Sequence, residues 1–221
     1  MTGRELASLH QRWTAYEELS NLTEHWYWRP GWRADRRFYT WHLTFEHQSE
    51  LHELVKRQQG HLALPGLDLV PIDGLHLTMQ GLGFTDEVSD DDVDAIVAEA
   101  RQRCATLPPL EFSLGPVDPD PEGIGLLVQP WEQVEQLRAA IREAIGTVSH
   151  SVPEPADGFR PHVTIAYSSS SAPTAPIRNR LAHLRHLPSV NVTISRVPLI
   201  ALRREGHAYR WTTVATVPLA G

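Results

Sequence analysis

The spacing of hydrophobic residues changes near residue 36, from a helical period to a period of two. In the first stretch Leu6, Leu9, Trp13, Tyr16, Leu19, Leu22 and Trp26 recur every three or four positions, which predicts an amphipathic helix. Thr2, Gly3, Arg4 and Glu5 form a capping-box pattern at its start. The stretch runs into an aromatic cluster, Trp26, Tyr27, Trp28 and Trp32, broken by Pro30 and Gly31. Such rings stack bases in single-strand binders, but more often they fasten an added helix to a sheet.

Beyond residue 36, alternation predicts strands at Phe38–Glu46, Leu75–Phe84, Leu110–Val117, Ile124–Gln129, His162–Ser168, Asn191–Arg203 and Ala208–Pro218. Helical spacing predicts helices over Ser49–Gln59, Ser89–Thr106 (capped by Ser89 or Asp90), Trp131–Ile145 and Ile177–His186. The strand–helix order of the first half recurs in the second. It predicts two related α+β lobes, about 37–118 and 119–221, behind an N-terminal extension of residues 1–36. Val152–Gly158, rich in Pro and acidic residues, and Ser168–Pro176, with four consecutive serines, read as mobile surface loops placed to rim a site.

Composition narrows the function classes. With 41% hydrophobic and 21% charged residues, a chain of 221 residues buries a core without disulfides or metals. The longest apolar runs, Ile124–Val128 and Val197–Leu202, are far too short to span a bilayer, so no membrane partner is expected. Met1–Leu9 has no apolar secretion segment, and a cytoplasmic location is the expectation. The one cysteine, Cys104, cannot form an internal bridge and reads as a packing residue. A net charge of -7 argues against a broad phosphate-binding surface and favours a short oligonucleotide or a small nucleotide over long RNA.

The candidate chemistry lies in three His-x-Thr triplets: His42-Leu43-Thr44, His76-Leu77-Thr78 and His162-Val163-Thr164. Their alternating neighbours are apolar: Trp41, Leu43 and Phe45; Leu75, Leu77 and Met79; Val163, Ile165 and Tyr167. Each His therefore shares with its Thr the strand face opposite that apolar set. Two such strands brought together would face two imidazoles across a cleft, with hydroxyls beside them. That arrangement suits phosphodiester chemistry, in which one neutral ring takes a proton from water and one protonated ring gives a proton to the departing ribose oxygen. Hydroxyls beside them donate to the non-bridging oxygens. The scheme calls for no metal and no cofactor. His52-Glu53 is followed by Lys56 where a zinc protease needs a second His, and there is no Gly-rich phosphate loop or Gly-x-Ser-x-Gly elbow.

Two of these segments, Leu75-His76-Leu77-Thr78-Met79-Gln80-Gly81-Leu82-Gly83 and Phe159-Arg160-Pro161-His162-Val163-Thr164-Ile165-Ala166, resemble the signature strands of the two-histidine phosphoesterase superfamily, particularly its branch similar to 2′-5′ RNA ligases. The resemblance covers roughly residues 37–218. It implies a bilobal α+β fold with pseudo-two-fold symmetry, two antiparallel-rich sheets, outer helices and a central cleft. It further implies His76 and His162 as the acid–base pair and Thr78 and Thr164 as phosphate-binding hydroxyls. His42, Arg160 and Tyr167 are candidate substrate contacts; Arg160 would replace a basic residue that relatives often carry soon after the second triplet. The implied activity is metal-independent hydrolysis of a 2′,3′-cyclic phosphate, or of a related cyclic or 2′-5′ phosphodiester, on an RNA end or nucleotide. No obligatory protein partner is evident. The alternative is a nucleotide- or RNA-binding module on the same fold.

Overall fold

Alternation buries Trp41, Leu43 and Phe45, then Leu75, Leu77 and Met79, and then Val163 and Ile165, all at 2% exposure or less. These rows form the inner faces of two antiparallel sheets. The computed structural model describes residues 3–220. Its elements are α1 (Gly3–Glu18), β1 (Phe38–Thr44), α2 (Ser49–Leu62), β2 (Leu67–Leu69), β3 (His76–Phe84), α3 (Asp90–Cys104), β4 (Leu110–Asp120), β5 (Gly123–Gln129), α4 (Glu132–Val148), β6 (His162–Ser168), α5 (Ala175–Leu184), β7 (Val190–Ile194), β8 (Arg196–Glu205) and β9 (Ala208–Pro218). One sheet has the order β3-β1-β8-β9 and the other β2-β6-β5-β4-β7. Helices α3 and α4 pack against each other and on the first sheet; α2 and α5 pack on the second, as does α1. No helix among the described residues is long and apolar enough to cross a membrane.

The sheets do not divide the chain at residue 118. Strands β8 and β9 return to close the sheet begun by β1 and β3, so the two lobes interleave in sequence. The single strand expected over Asn191–Arg203 is two strands. Consecutive exposed residues, Ser195 and Arg196, break the alternation, and the chain passes there from β4 in one sheet to β1 in the other. The short β2, which pairs with β6, has too few residues to show a period.

The N-terminal helix stops at Glu18, earlier than the periodicity through Leu22 and Trp26 predicts. Both residues are buried at 2%, but on an extended segment. Its backbone bonds go outward: Leu22 N–H donates to Ala172 O (2.8 Å), Thr23 N–H to Pro121 O (2.9 Å) and His25 N–H to Ser168 O (2.9 Å). Of the capping box, Thr2 lies outside the described residues, while the buried Glu5 carboxylate accepts instead from the Trp131 N–H at 3.0 Å. The cap expected for α3 is present, with the Asp92 N–H donating to Ser89 Oγ. Cys104 is fully buried, and burial pushes its thiol up to about 11.

Both segments expected to be mobile loops have fixed partners. Ser168–Pro176 is zipped to the N-terminal segment through Ala172 and Thr174. The other loop is held by α4: Arg138 donates to Ala156 O and Pro155 O, each at 2.9 Å, and Arg142 donates to Glu154 O at 2.8 Å. Arg138 is 5% exposed, reaches Met79 O on β3 as well, and lies over the Phe159 ring. A buried guanidinium spends its donors on whatever carbonyls surround it, and here those carbonyls are the loop.

Candidate active site

Each signature strand opens on its histidine, and the two rings are oriented in the same way. His76 Nδ1–H donates to Gly74 O at 2.8 Å, and His162 Nδ1–H donates to Arg160 O at 2.9 Å. A carbonyl oxygen only accepts, so this bond fixes the hydrogen on Nδ1 and leaves Nε2 with its lone pair. Both acceptors lie two residues upstream of the ring. The strand entry itself thus selects the tautomer.

The strands share a second feature. Along β1 and β3 the register passes from His42↔Thr78 to Trp41↔Gln80, leaving Met79 as an extra residue. Along β5 and β6 it passes from Gly125↔Thr164 to Ile124↔Ala166, leaving Ile165 extra. Each strand therefore carries a β-bulge immediately after the Thr of its triplet, and a bulge re-aims the side chains that follow. Simple alternation puts Tyr167 on the apolar face with Val163 and Ile165. The bulge instead turns it to the cavity beside His162 and Thr164. The corresponding position after the first bulge is Gly81, where a Cβ would come within 2.8 Å of Glu154 Oε1.

A cavity of about 430 Å³ lies between the sheets. His42, His76 and Thr78 line it from one sheet, and His162, Thr164 and Tyr167 from the other. His42 is 1% exposed; its ring is stacked on His76, and its Nε2 is 3.2 Å from Thr78 Oγ1. Its Nδ1 has no hydrogen-bond partner among the described residues. Arg160 is outside this cavity. Its guanidinium is taken by Asp118 (2.9 Å) and Asp120 (3.1 Å), so it braces the strand entry before His162 and its charge is already neutralised by carboxylates. Asp118 is itself fully buried and also accepts from Arg12 of α1.

Burial lowers the basicity of every ring. His76 is pushed down to about 4, mainly by desolvation, with repulsion from His162 and His25 adding to it and the Gly74 carbonyl opposing it. His162 is lowered by burial and then by Arg160, while Asp118 and Asp120 favour its cation. His42 is lowered well below 6.5 by burial and by His76. The Tyr167 phenol is raised, chiefly by burial. Among the described residues no group of three or more His, Cys, Asp or Glu is arranged to hold a metal ion.

Several cavity residues are not apparent from sequence patterns. His25, from the extended N-terminal segment, stacks on Tyr167 with ring centroids 4.1 Å apart. Its Nδ1–H donates to Glu122 Oε2 (3.0 Å), and Tyr209 O–H donates to its Nε2 (2.9 Å). The three meet across sequence separations of 97 and 184 residues, which no local pattern reveals. Tyr27, Trp28, Arg29 and Arg204 line the remaining edge. The aromatic cluster was the one sequence signal pointing to them. Its members divide the two roles weighed for it: Trp26 is buried at 2%, whereas Tyr27 and Trp28 are 47% and 50% exposed.

No curated protein matches the chain in sequence. Solved structures do resemble it. A phosphoesterase crystal structure aligns at 17% identity and a TM-score of 0.63, covering 85% of this chain and 100% of its own. E. coli LigT complexed with 3′-AMP gives the same four values, 17%, 0.63, 85% and 100%. TT0787 of Thermus thermophilus aligns at 21% identity and 0.58, covering 84% and 98%. At these identities the likeness is one of fold. The sequence profile described as the 2′-5′ RNA ligase superfamily matches residues 49–206, most of the chain and both signature strands, and the chain belongs to that superfamily.

Proposed function

We propose that the protein is a phosphoesterase that opens 2′,3′-cyclic phosphates, or related 2′-5′ phosphodiesters, of RNA ends or nucleotides. The observation that carries this reading is the pair of Nε2 atoms left with free lone pairs by matching Nδ1–H bonds, on strands that line one cavity. The superfamily assignment supports it, as does a fold relative crystallised with 3′-AMP, a nucleotide of the kind that opening a 2′,3′-cyclic phosphate releases.

In hydrolysis His76 acts as base and His162 as acid. His76 has imidazoles and no carboxylate among the groups that shift it, and at neutral pH it is uncharged, with its one ring hydrogen on Nδ1 and Nε2 open; His162 has Asp118 and Asp120 nearby to favour its cation. Water attacks phosphorus while its proton passes to His76 Nε2. The bond from phosphorus to one ribose oxygen breaks, and that oxygen takes the proton from His162 Nε2. In ligation a ribose 5′-hydroxyl takes the place of water: it attacks the cyclic phosphate and gives its proton to His76 Nε2, while the ring oxygen that departs takes one from His162 Nε2. Thr78 and Thr164 donate to the non-bridging oxygens. For Thr78 to do so, the hydrogen shared with His42 sits on His42 Nε2 and points at Oγ1, leaving the hydroxyl hydrogen for the phosphate. His42 is then a positioning residue.

The test is incubation with 2′,3′-cyclic AMP and with an oligonucleotide ending in a cyclic phosphate, the product resolved by phosphorus NMR. Turnover is expected, undiminished by a chelator, and lowered about 10²- to 10⁴-fold by His76→Ala or by His162→Ala. Binding without product would overturn the proposal in favour of a nucleotide-binding module.

A further inference from the structure

The N-terminal segment lies outside the family match at 49–206, yet it builds one edge of the cavity. Packing accounts for only half of its aromatic cluster. Trp26 is buried and donates from Nε1 to Asp68 at 2.9 Å, and Trp32 is half-buried beside Phe38 and Phe84. Trp28 has no such role. Half of its surface is open, and one face is capped by the Arg204 guanidinium, 4.2 Å from the ring centroid.

Arg204 is also distinct among the cavity's cations. Arg29 is paired with Glu122 at 2.6 Å. Arg204 has no carboxylate partner among the described residues, and its bonds go to the Gly206 carbonyl (3.0 Å) and, weakly, the Tyr27 carbonyl (3.4 Å). In a protein of net charge -7, a half-buried arginine left without a counter-ion, in the same cavity as His76 and His162, marks a place for an anion. The segment is anchored before this point by Trp26 and the His25 backbone bond, and after it by Arg36, which donates to Gly31 O and pairs with Asp86, so little ordering is needed on binding.

We propose that Trp28 and Arg204 form a second nucleotide subsite: Arg204 binds the phosphate on the 5′ side of the reacting nucleoside, and the open face of Trp28 stacks the preceding base. The preferred substrate is then an RNA end of at least two nucleotides. The proposal rests on the phosphoesterase reading of the cavity. Its chemistry separates into parts, because a 5′-phosphate occurs on mononucleotides as well as within a chain.

The experiment compares three adenosine ligands: one with only the 2′,3′-cyclic phosphate, one with an added 5′-phosphate, and the dinucleotide with the same cyclic end. Catalytic efficiency is measured for each, and calorimetry is run in parallel on the three corresponding 3′-phosphates, which cannot turn over by ring opening. Each addition is expected to raise affinity about tenfold, since stacking and a phosphate contact are each worth about that much. Arg204→Gln should collapse the first increment and Trp28→Ala the second, while Trp28→Tyr retains it. Three equal affinities, or ratios unmoved by the substitutions, would overturn the subsite. Graded binding without hydrolysis would leave the subsite standing and refute the phosphoesterase reading. Hydrolysis with ungraded binding would do the reverse, and no binding at all would refute both.

Discussion

His42 lies flat against His76, with ring centroids 4.4 Å apart and planes within 4° of parallel. Both rings are held below the usual histidine range by burial, His76 at about 4. Between that value and 6.5 the unfolded chain holds a proton that the folded His76 does not, so stability rises with pH across this window and is complete above it. Urea unfolding between pH 4 and 7.5 should show a loss of about 3 kcal/mol from His76 on acidification, with His42 and His162 adding to it. His42→Phe keeps the stack and removes one group that must take up a proton on unfolding. Its stability should depend less steeply on pH.

The pH dependence of the reaction tests the assignment of acid and base. If His162 is the acid, the carboxylates beside it hold up the alkaline limb of the kcat/KM profile. Asp120→Asn removes one of them and leaves the Arg160 charge less balanced. The alkaline limb should move to lower pH while the acidic limb stays in place. Movement of the acidic limb alone would exchange the two roles.

Asp118 joins three parts of the chain that are remote in sequence, α1 through Arg12, β4, and the entry to β6 through Arg160. Its side chain is fully buried. Removing one member of such a cluster leaves charge buried without its partner, so Asp118→Ala should cost about 3 kcal/mol in urea unfolding. An unchanged midpoint would mean that the cluster is solvated in solution.

Arg138 ties α4 to β3 and to the loop carrying Pro155 and Ala156. Arg138→Met fills similar space but satisfies none of these carbonyls. A loss of about 2 kcal/mol is expected, together with new proteolytic cleavage confined to 150–160. Cleavage elsewhere would place the weak point outside the loop.

The parts of the cavity legible in the sequence are those that depend on strict alternation. His76 and Thr78, and His162 and Thr164, share a face because each pair precedes its bulge, so counting by twos still holds there. Tyr167 comes after the bulge, and the apolar pair Ile165 and Ala166 gives no sign of an inserted residue. The end of α1 was hidden for a related reason: Leu22 and Trp26 keep the helical spacing while packing from an extended backbone. The sheet change at Ser195 was legible in principle, because two polar residues in succession stand inside an alternating run. His25, Glu122 and Tyr209 meet only in three dimensions. The triplet at His42 was recognisable, but not its stack, because the pairing of β1 with β3 brings the ring beside His76.

The extra residues at Met79 and Ile165 act as matched phase shifts. Flattening a bulge while keeping its extra residue would invert the residues that follow, carrying Tyr167 into hydrocarbon in one strand and Gln80 toward the open space in the other, whereas deleting the extra residue would leave Tyr167 and Gln80 facing as they do now. Alignments with divergent homologues that lack the extra residue must therefore place their gap at Met79 or Ile165, because a gap set farther along the strand exchanges wall residues for core residues while leaving the His-x-Thr triplets intact.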